Sequence, residues 1–166
     1  MKSNEVRWGI LGSAKITEVE IGPAMIKVPR SRVVAVGSRT LGTAKKLADA
    51  LGADRAYGSY AELLADPDID AIYVPLPNAM HAEWTISALQ AGKHVLCEKP
   101  MGMNSAEVKS MVAAARKADK VLMEGFMYRF HPRIACIQEL LRDGAIGDVK
   151  LVRSTYPSYV GGVYHV

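Results

Sequence analysis

The feature that most constrains this chain is the alternation, from Val6 to Glu124, of short apolar runs with segments of helical period. Val6–Leu11 (VRWGIL), 33–37 (VVAVG), Ala71–Val74 (AIYV), His94–Cys97 (HVLC) and 121–124 (VLME) have strand length, and Ala56 and Tyr57 add a brief sixth. Between them, 40–51 carries apolar residues at helical spacing and stops at Gly52. A short helix over 60–65 precedes the turn Asp66-Pro67-Asp68, and a helix over 79–91 ends at Gly92. Asn104 or Ser105 caps a further helix to about Asp119, with Glu107 early where the dipole favours it. The stretch 15–28 is helical but interrupted by Gly22-Pro23, so a short turn and a new helix from Pro23 are expected. Alternation at this spacing requires right-handed βαβ crossovers, hence an α/β fold with a parallel sheet covered on both faces. After Glu124 the pattern gives a helix over 132–142, a turn at Asp143-Gly144 and a last strand over 149–154 (VKLVRS).

A length of 166 residues suits one domain with a proper core and is short for two. The net charge of +4 comes from scattered Lys and Arg rather than a basic face, which argues against nucleic acid as a partner. No apolar run approaches the roughly 18 residues of a membrane helix, and the N-terminal segment reads as a strand, not a signal peptide. Cys97 and Cys136 sit in no CxxC or Cys/His array. No metal site is expected, and both cysteines are expected to be reduced and buried in a cytoplasmic protein.

The first strand–helix turn contains Gly12, Ser13, Ala14, Lys15, Ile16 and Thr17. Gly12 holds the first position of a Gly-x-Gly-x-x-Gly dinucleotide fingerprint, Ala14 replaces the second glycine and Thr17 the third. A small residue at 14 still lets backbone approach a pyrophosphate, and the following helix N-terminus faces it with free N–H groups. By itself this turn is equally compatible with a plain strand–turn–helix. The end of the second strand says more. An NAD site places a carboxylate there for the ribose 2′-hydroxyl, whereas this chain has Gly37-Ser38-Arg39-Thr40 and no acid until Asp49. Arg39 is suited to a 2′-phosphate, with hydroxyl donors from Ser38 and Thr40, which favours NADP over NAD.

Three further segments, 73–81 (YVPLPNAMH), 91–101 (AGKHVLCEKPM) and 123–132 (MEGFMYRFHP), fall on successive strand ends. With the glycine turn they resemble the glucose–fructose oxidoreductase / inositol dehydrogenase (Gfo/Idh/MocA) family, whose best-known signature is the Glu-Lys-Pro triplet, here Glu98-Lys99-Pro100. The resemblance covers Val6 to about Thr155. It implies a Rossmann-type doubly wound sheet, followed by the first helix and strand of a largely missing α+β domain. The implied boundaries are 1–128 for the NAD(P)-binding domain and 129–166 for the connecting helix and remnant. The resemblance makes Lys99 the residue that helps move the substrate's hydroxyl proton, with Glu98 positioning it and Pro100 fixing the strand exit. Pro75, Leu76, Asn78 and His81 would line the cofactor near its ribose and nicotinamide, and Tyr128 and Arg129 would close over its nicotinamide end. Read without the resemblance, His81 could cap a helix, and Glu98 with Lys99 could be an ordinary ion pair.

Family members are about twice this length. The tail over 160–166 (VGGVYHV) looks like a fragment of the family's Asp-x-Gly-x-Tyr/His motif, making Tyr164 a second acid/base candidate, although chance similarity is an equal alternative. Two functions stand beside each other. One is an NAD(P)-dependent oxidoreductase acting on a sugar, polyol or dihydrodiol, with a small carbonyl or hydroxyl compound as substrate. The other is a truncated NADP(H)-binding module without autonomous catalysis. The unpartnered strand 149–154 would invite pairing with another chain, so a homo-oligomer is expected.

Overall fold

A computed structural model describes residues 5–155, and the chain divides after Phe126 into two units. In the first unit, β1 (Val6–Leu11), β2 (Ser31–Gly37), β3 (Arg55–Tyr57), β4 (Ala71–Val74), β5 (His94–Cys97) and β6 (Leu122–Glu124) form one sheet. All pairings are parallel and the order is β3-β2-β1-β4-β5-β6. The chain winds outward from β1 to β3, returns to set β4 beside β1, and winds outward again, as a doubly wound sheet does.

One face is covered by α1 (Gly22–Lys27) and α2 (Leu41–Leu51), over a core that includes Ile10, Val33, Leu47, Leu51 and Tyr73. The other is covered by α3 (Tyr60–Ala65), α4 (His81–Gln90) and α5 (Ser105–Ala118), over Leu11, Leu63, Ile72, Val74, Leu89 and Met111. Successive residues Ile72, Tyr73 and Val74 thus enter opposite cores, which is why β4 is apolar throughout. Local chemistry closes the helices. Thr40, Ser59 and Asn104 accept first-turn N–H groups, and Gly52 ends α2 at φ +67°.

Three expectations are corrected. No turn separates the stretch before Pro23 from α1. A π-helical turn over Thr17–Ile21 runs straight into it, with the Gly22 N–H donating to the Thr17 carbonyl. Pro23 has no N–H and its ring would crowd the carbonyl four residues back; the wider turn accommodates both. A Cβ at residue 22 would lie 2.5 Å from the Thr17 carbonyl oxygen and 2.6 Å from Leu51, so the turn requires glycine. In the second unit, Pro132–Arg142 forms α6, but 149–154 is not a strand. Those residues are exposed and none of the described strands pairs with them, and an apolar run without a partner gains no ladder. Finally, Cys97 is buried as expected but Cys136, on α6, is exposed. Among the described residues no helix is long and apolar enough to cross a membrane.

At the amino ends of the central strands, the loop 66–70 (DPDID) is a hub of fixed charge. The Arg7 guanidinium bonds Asp70 through Nε and Nη2 and Asp68 through Nη1, each at 2.9 Å, and the Asp70 carboxyl is held below its usual range chiefly by that contact. Arg55 Nε lies 3.0 Å from Asp66 Oδ2, which also accepts the Tyr57 hydroxyl at 2.9 Å. Lys93, only 6 % exposed, donates to the Asp66 and Ile69 carbonyls at 2.6 and 2.8 Å. Burial lowers its affinity for a proton, against the pull of the nearby aspartates. Replacing Lys93 by Met keeps the volume but leaves two buried carbonyls without donors. Urea unfolding of Lys93→Met is expected to show a loss of about 2–3 kcal/mol; an unchanged midpoint would refute the strut.

Candidate functional site

The carboxyl ends of β1, β2 and β4 surround a cleft of about 670 Å³, lined by Gly12, Ser13, Ala14, Ser38, Arg39, Thr40, Pro75 and Leu76. The two windings part here, because the loops after β1 and β4 leave the sheet toward opposite faces. Gly12 makes the floor possible. Its φ is +94°, its N–H donates to the Gly37 carbonyl at 2.7 Å, and a Cβ would press 2.9 Å from Leu76 Cδ2. Ser38 is buried, while Arg39 and Thr40 are exposed at the rim.

Four lining residues escaped the sequence reading: Thr43, Tyr60, Pro77 and Met80. Thr43 had a signal in the Thr40-x-x-Thr43 spacing, a capped first turn in which the two hydroxyls lie 2.8 Å apart. Tyr60 had none, being one apolar position of a short helix. Its ring meets Trp84 edge-on at 4.9 Å, and its hydroxyl is pushed up by burial against the pull of the Arg39 charge. Lys15, exposed, and Ile16, half-buried, open the helix beside the cleft, and Asn78, exposed, starts a 3₁₀ turn over Asn78–Met80; Lys15, Ile16 and Asn78 do not line the cleft.

His81 differs from its expected place. It is fully buried, with Nε2 2.7 Å from the Leu76 carbonyl and Nδ1 2.8 Å from the Pro100 carbonyl. Both partners are backbone carbonyl oxygens, one at each ring nitrogen. With both nitrogens engaged it joins two loops of the site and has no free atom for a ligand.

Glu98 and Lys99 stand at the exit of β5. Glu98 is half-buried and Lys99 exposed. Tyr73, buried in the sheet, donates to Glu98 Oε1 at 2.9 Å, and Oε2 accepts the Lys99 backbone N–H at 3.2 Å. The carboxylate therefore fixes the lysine's main chain. Burial, then the charge of Glu98, pushes the Tyr73 phenol well above its ordinary range, so it stays a donor. The buried Cys97 thiol, likewise, is pushed up to about 11. A Cβ at Gly125 would come 3.2 Å from Glu98 Oε1, so that glycine makes room for the carboxylate. Arg129 and Tyr128 belong to the second unit, in the 3₁₀ turn Met127–Phe130. Tyr164 lies outside the described residues. Among the described residues no cluster of His, Cys, Asp and Glu could hold a metal ion.

Residues 6–126 match the model of an oxidoreductase family with an NAD-binding Rossmann fold, GFO_IDH_MocA. The trans-1,2-dihydrobenzene-1,2-diol dehydrogenase of Xenopus laevis is 44 % identical over 151 residues, covering 90 % of this chain and 46 % of that protein. The D-xylose 1-dehydrogenase (NADP(+)) 2 of Haloferax volcanii is 42 % identical over 149 residues, covering 90 % and 45 %. A 3-ketoreductase from Actinomadura kijaniata, solved in complex with TDP-benzene and NADP, superposes with a TM-score of 0.79 at 39 % identity, covering 87 % of this chain and 45 % of that one. The chain thus spans about half the length of the relatives it matches, and it belongs to the Gfo/Idh/MocA oxidoreductase family.

The Tyr73–Glu98 contact is a part-buried hydrogen bond from a phenol to a carboxylate. Tyr73→Phe is expected to lower stability by about 1.5–3 kcal/mol and to raise the hydrogen-exchange rate of the Lys99 amide. A variant with unaltered exchange at Lys99 would show that Glu98 holds the turn without the tyrosine.

Proposed function

We propose that this member of the Gfo/Idh/MocA family is the NADP(H)-binding half of an oxidoreductase that acts on a CH–OH group of a sugar, polyol or dihydrodiol. The observation that carries the reading is the donor set of the cleft. Ser13, Ser38, Arg39, Thr40 and Thr43 line it and no carboxylate does. Donors without an anionic acceptor suit a polyphosphate carrying a 2′-phosphate, and the glycine at 12 leaves the backbone open to it. Gly12, Ser13 and Ala14, flanked by Lys15 and Ile16, would hold the pyrophosphate, and Ser38 and Arg39 the 2′-phosphate. Pro75 and Leu76, with Asn78 beside them, would bound the ribose and nicotinamide end. The names of the Haloferax relative and of the Actinomadura complex, both carrying NADP, support this choice.

When bound, the dinucleotide supplies or accepts the hydride. Lys99 takes or returns the substrate's hydroxyl proton, and Glu98 keeps the lysine's backbone in place. Residues 1–128 are assigned to the cofactor domain and 129–166 to the start of a second one, and Arg129 stands as a cofactor-binding candidate on family resemblance alone. Tyr164 stands as a second acid/base candidate on sequence likeness alone. Reduced cysteines agree with a cytoplasmic setting, Cys97 and Cys136 both being free.

In the two dehydrogenases compared, the matched residues make up 45–46 % of the protein. Orientation of reactants accounts for roughly 7–11 kcal/mol of a barrier, and in a longer relative the remaining half is available to supply it.

Fluorescence titration is expected to show NADPH binding about tenfold or more tighter than NADH, with Arg39→Ala removing most of the difference, since such a charge-assisted contact is worth about 1.5–3 kcal/mol. Equal affinities would sink the cofactor assignment. The chain is further expected to self-associate, because Leu140, Leu151 and Val152 are 52 %, 75 % and 80 % exposed. Light scattering that reports a monomer across the micromolar range would count against a homo-oligomer.

A further inference from the structure

The turn that carries Lys99 is held from three sides. Glu98 Oε2 accepts the Lys99 N–H at 3.2 Å. The buried His81 ring places Nδ1 2.8 Å from the Pro100 carbonyl. Glu124, at the carboxyl end of β6, accepts the Met101 N–H through Oε1 at 2.8 Å. Three consecutive residues thus each offer one backbone group to a side chain from a different element: the exit of β5, the start of α4, and β6. The anchors are themselves fixed. Tyr73 holds Glu98, the Leu76 carbonyl holds His81, and Glu124 pairs with Cys97 in the β5–β6 register, locked by the Gly125 N–H on the Cys97 carbonyl at 2.8 Å. A turn at the edge of an open sheet needs none of this merely to reverse the chain. What the arrangement does is remove freedom from the one segment that presents Lys99.

We propose that Glu124 is a positioning residue for Lys99. It acts through the Met101 N–H to set where the lysine's backbone stands beside the nicotinamide end of the cofactor, with His81 as its counter-anchor. The inference rests on the role given to Lys99 above. What matters is the reach of the Glu124 acceptor and not its charge, because the partner it meets is a backbone N–H. That distinction separates positioning from a general electrostatic effect on the lysine. Glu124→Gln keeps the acceptor at the same reach and loses the charge. Glu124→Asp keeps the charge and withdraws the acceptor by one methylene.

The test uses the 166-residue chain with its lysines reductively methylated with ¹³C. The Lys99 resonance is assigned by its loss in Lys99→Arg and followed during NADPH titration, and the Met101 amide is followed by hydrogen exchange. In the unaltered chain the Lys99 signal is expected to move on saturation with NADPH, and Glu124→Gln to behave like it. In Glu124→Asp the Met101 amide should exchange about tenfold or more faster, as for a lost hydrogen bond to a charged acceptor. The Lys99 signal should lose most of its displacement there, while NADPH affinity stays as before. Glu124→Ala should match Glu124→Asp; should it not fold, the Asp and Gln pair decides alone. A full Lys99 response in Glu124→Asp, or a loss in Glu124→Gln equal to that in Glu124→Asp, overturns the positioning role while leaving the reading of Lys99 intact. A Lys99 signal indifferent to NADPH in the unaltered chain overturns that reading, and this inference with it.

Discussion

Between β1 and β4 the sheet changes the direction in which it is wound, and the site depends on that reversal. β1 lies between β2 and β4, pairing Gly9 with Ala35 on one side and Ile72 on the other. At residue 9 the side chains of α3, β4 and the loop before it pack directly against the strand. A Cβ there would meet Ile72 Cδ1 at 2.9 Å, Ile69 Cδ1 at 3.0 Å and Leu63 Cδ2 at 3.1 Å. With the strands this close, the chain leaving β1 at Gly12 and the chain leaving β4 at Pro75 start beside each other and diverge, and the cleft is the space between them. Neither loop creates the site by its own conformation. The parallel pairing of β1 with β4 brings together the strands from which both loops depart.

The two ends of the sheet treat polar groups in opposite ways. At the amino end, Arg7, Arg55 and Lys93 meet the carboxylates or carbonyls of 66–70, so charge is neutralised within the protein. Leaving such groups unpaired under β1, β4 and β5 would cost more than the pairs return. At the carboxyl end the side chains divide. Glu98, His81 and Glu124 each hold backbone groups of the protein, with the Tyr73 hydroxyl also on Glu98, whereas Ser13, Ser38 and Arg39 line a cleft with no carboxylate in its lining. The first group is tied into the protein's own hydrogen bonds and the second borders the cleft, although in sequence both are simply polar residues after strands.

That difference explains what could be read in advance. The strands, most helix ends and a parallel sheet covered on both faces follow from period, length and caps, all of which are local, whereas the doubly wound order was implied by the family resemblance. Gly12, Ser38, Arg39 and Pro75 were legible because strand ends in such a sheet converge on one place. His81 was misread because its function depends on the Leu76 and Pro100 carbonyls, five and nineteen residues away. Glu124 carried no assigned role for the same reason, its partner being the Met101 N–H. The π-helical turn before Pro23 joins a local cause, the missing N–H, to a tertiary one, the approach of Leu51 to Gly22. The 149–154 stretch has strand composition without a strand, since composition does not supply a neighbour to pair with.

The distribution of rigidity bears on how a cofactor half works with a second half. A lysine has four rotatable side-chain bonds, so fixing its backbone cannot by itself fix its amine. What anchoring does is reduce the search: the amine then varies only over rotamers from one fixed origin, and bound cofactor and substrate select among them. Were the 99–101 turn free as well, the same selection would also have to order three residues of backbone, at about 1–2 kcal/mol each. Holding that turn with side chains of the cofactor half means that the cost is met on folding, before any substrate arrives. On the role proposed for Lys99, segments beyond the matched residues can then differ between relatives without disturbing that lysine's backbone. The Xenopus dihydrodiol dehydrogenase and the Haloferax xylose dehydrogenase, named for different substrates, share 44 % and 42 % identity with these residues.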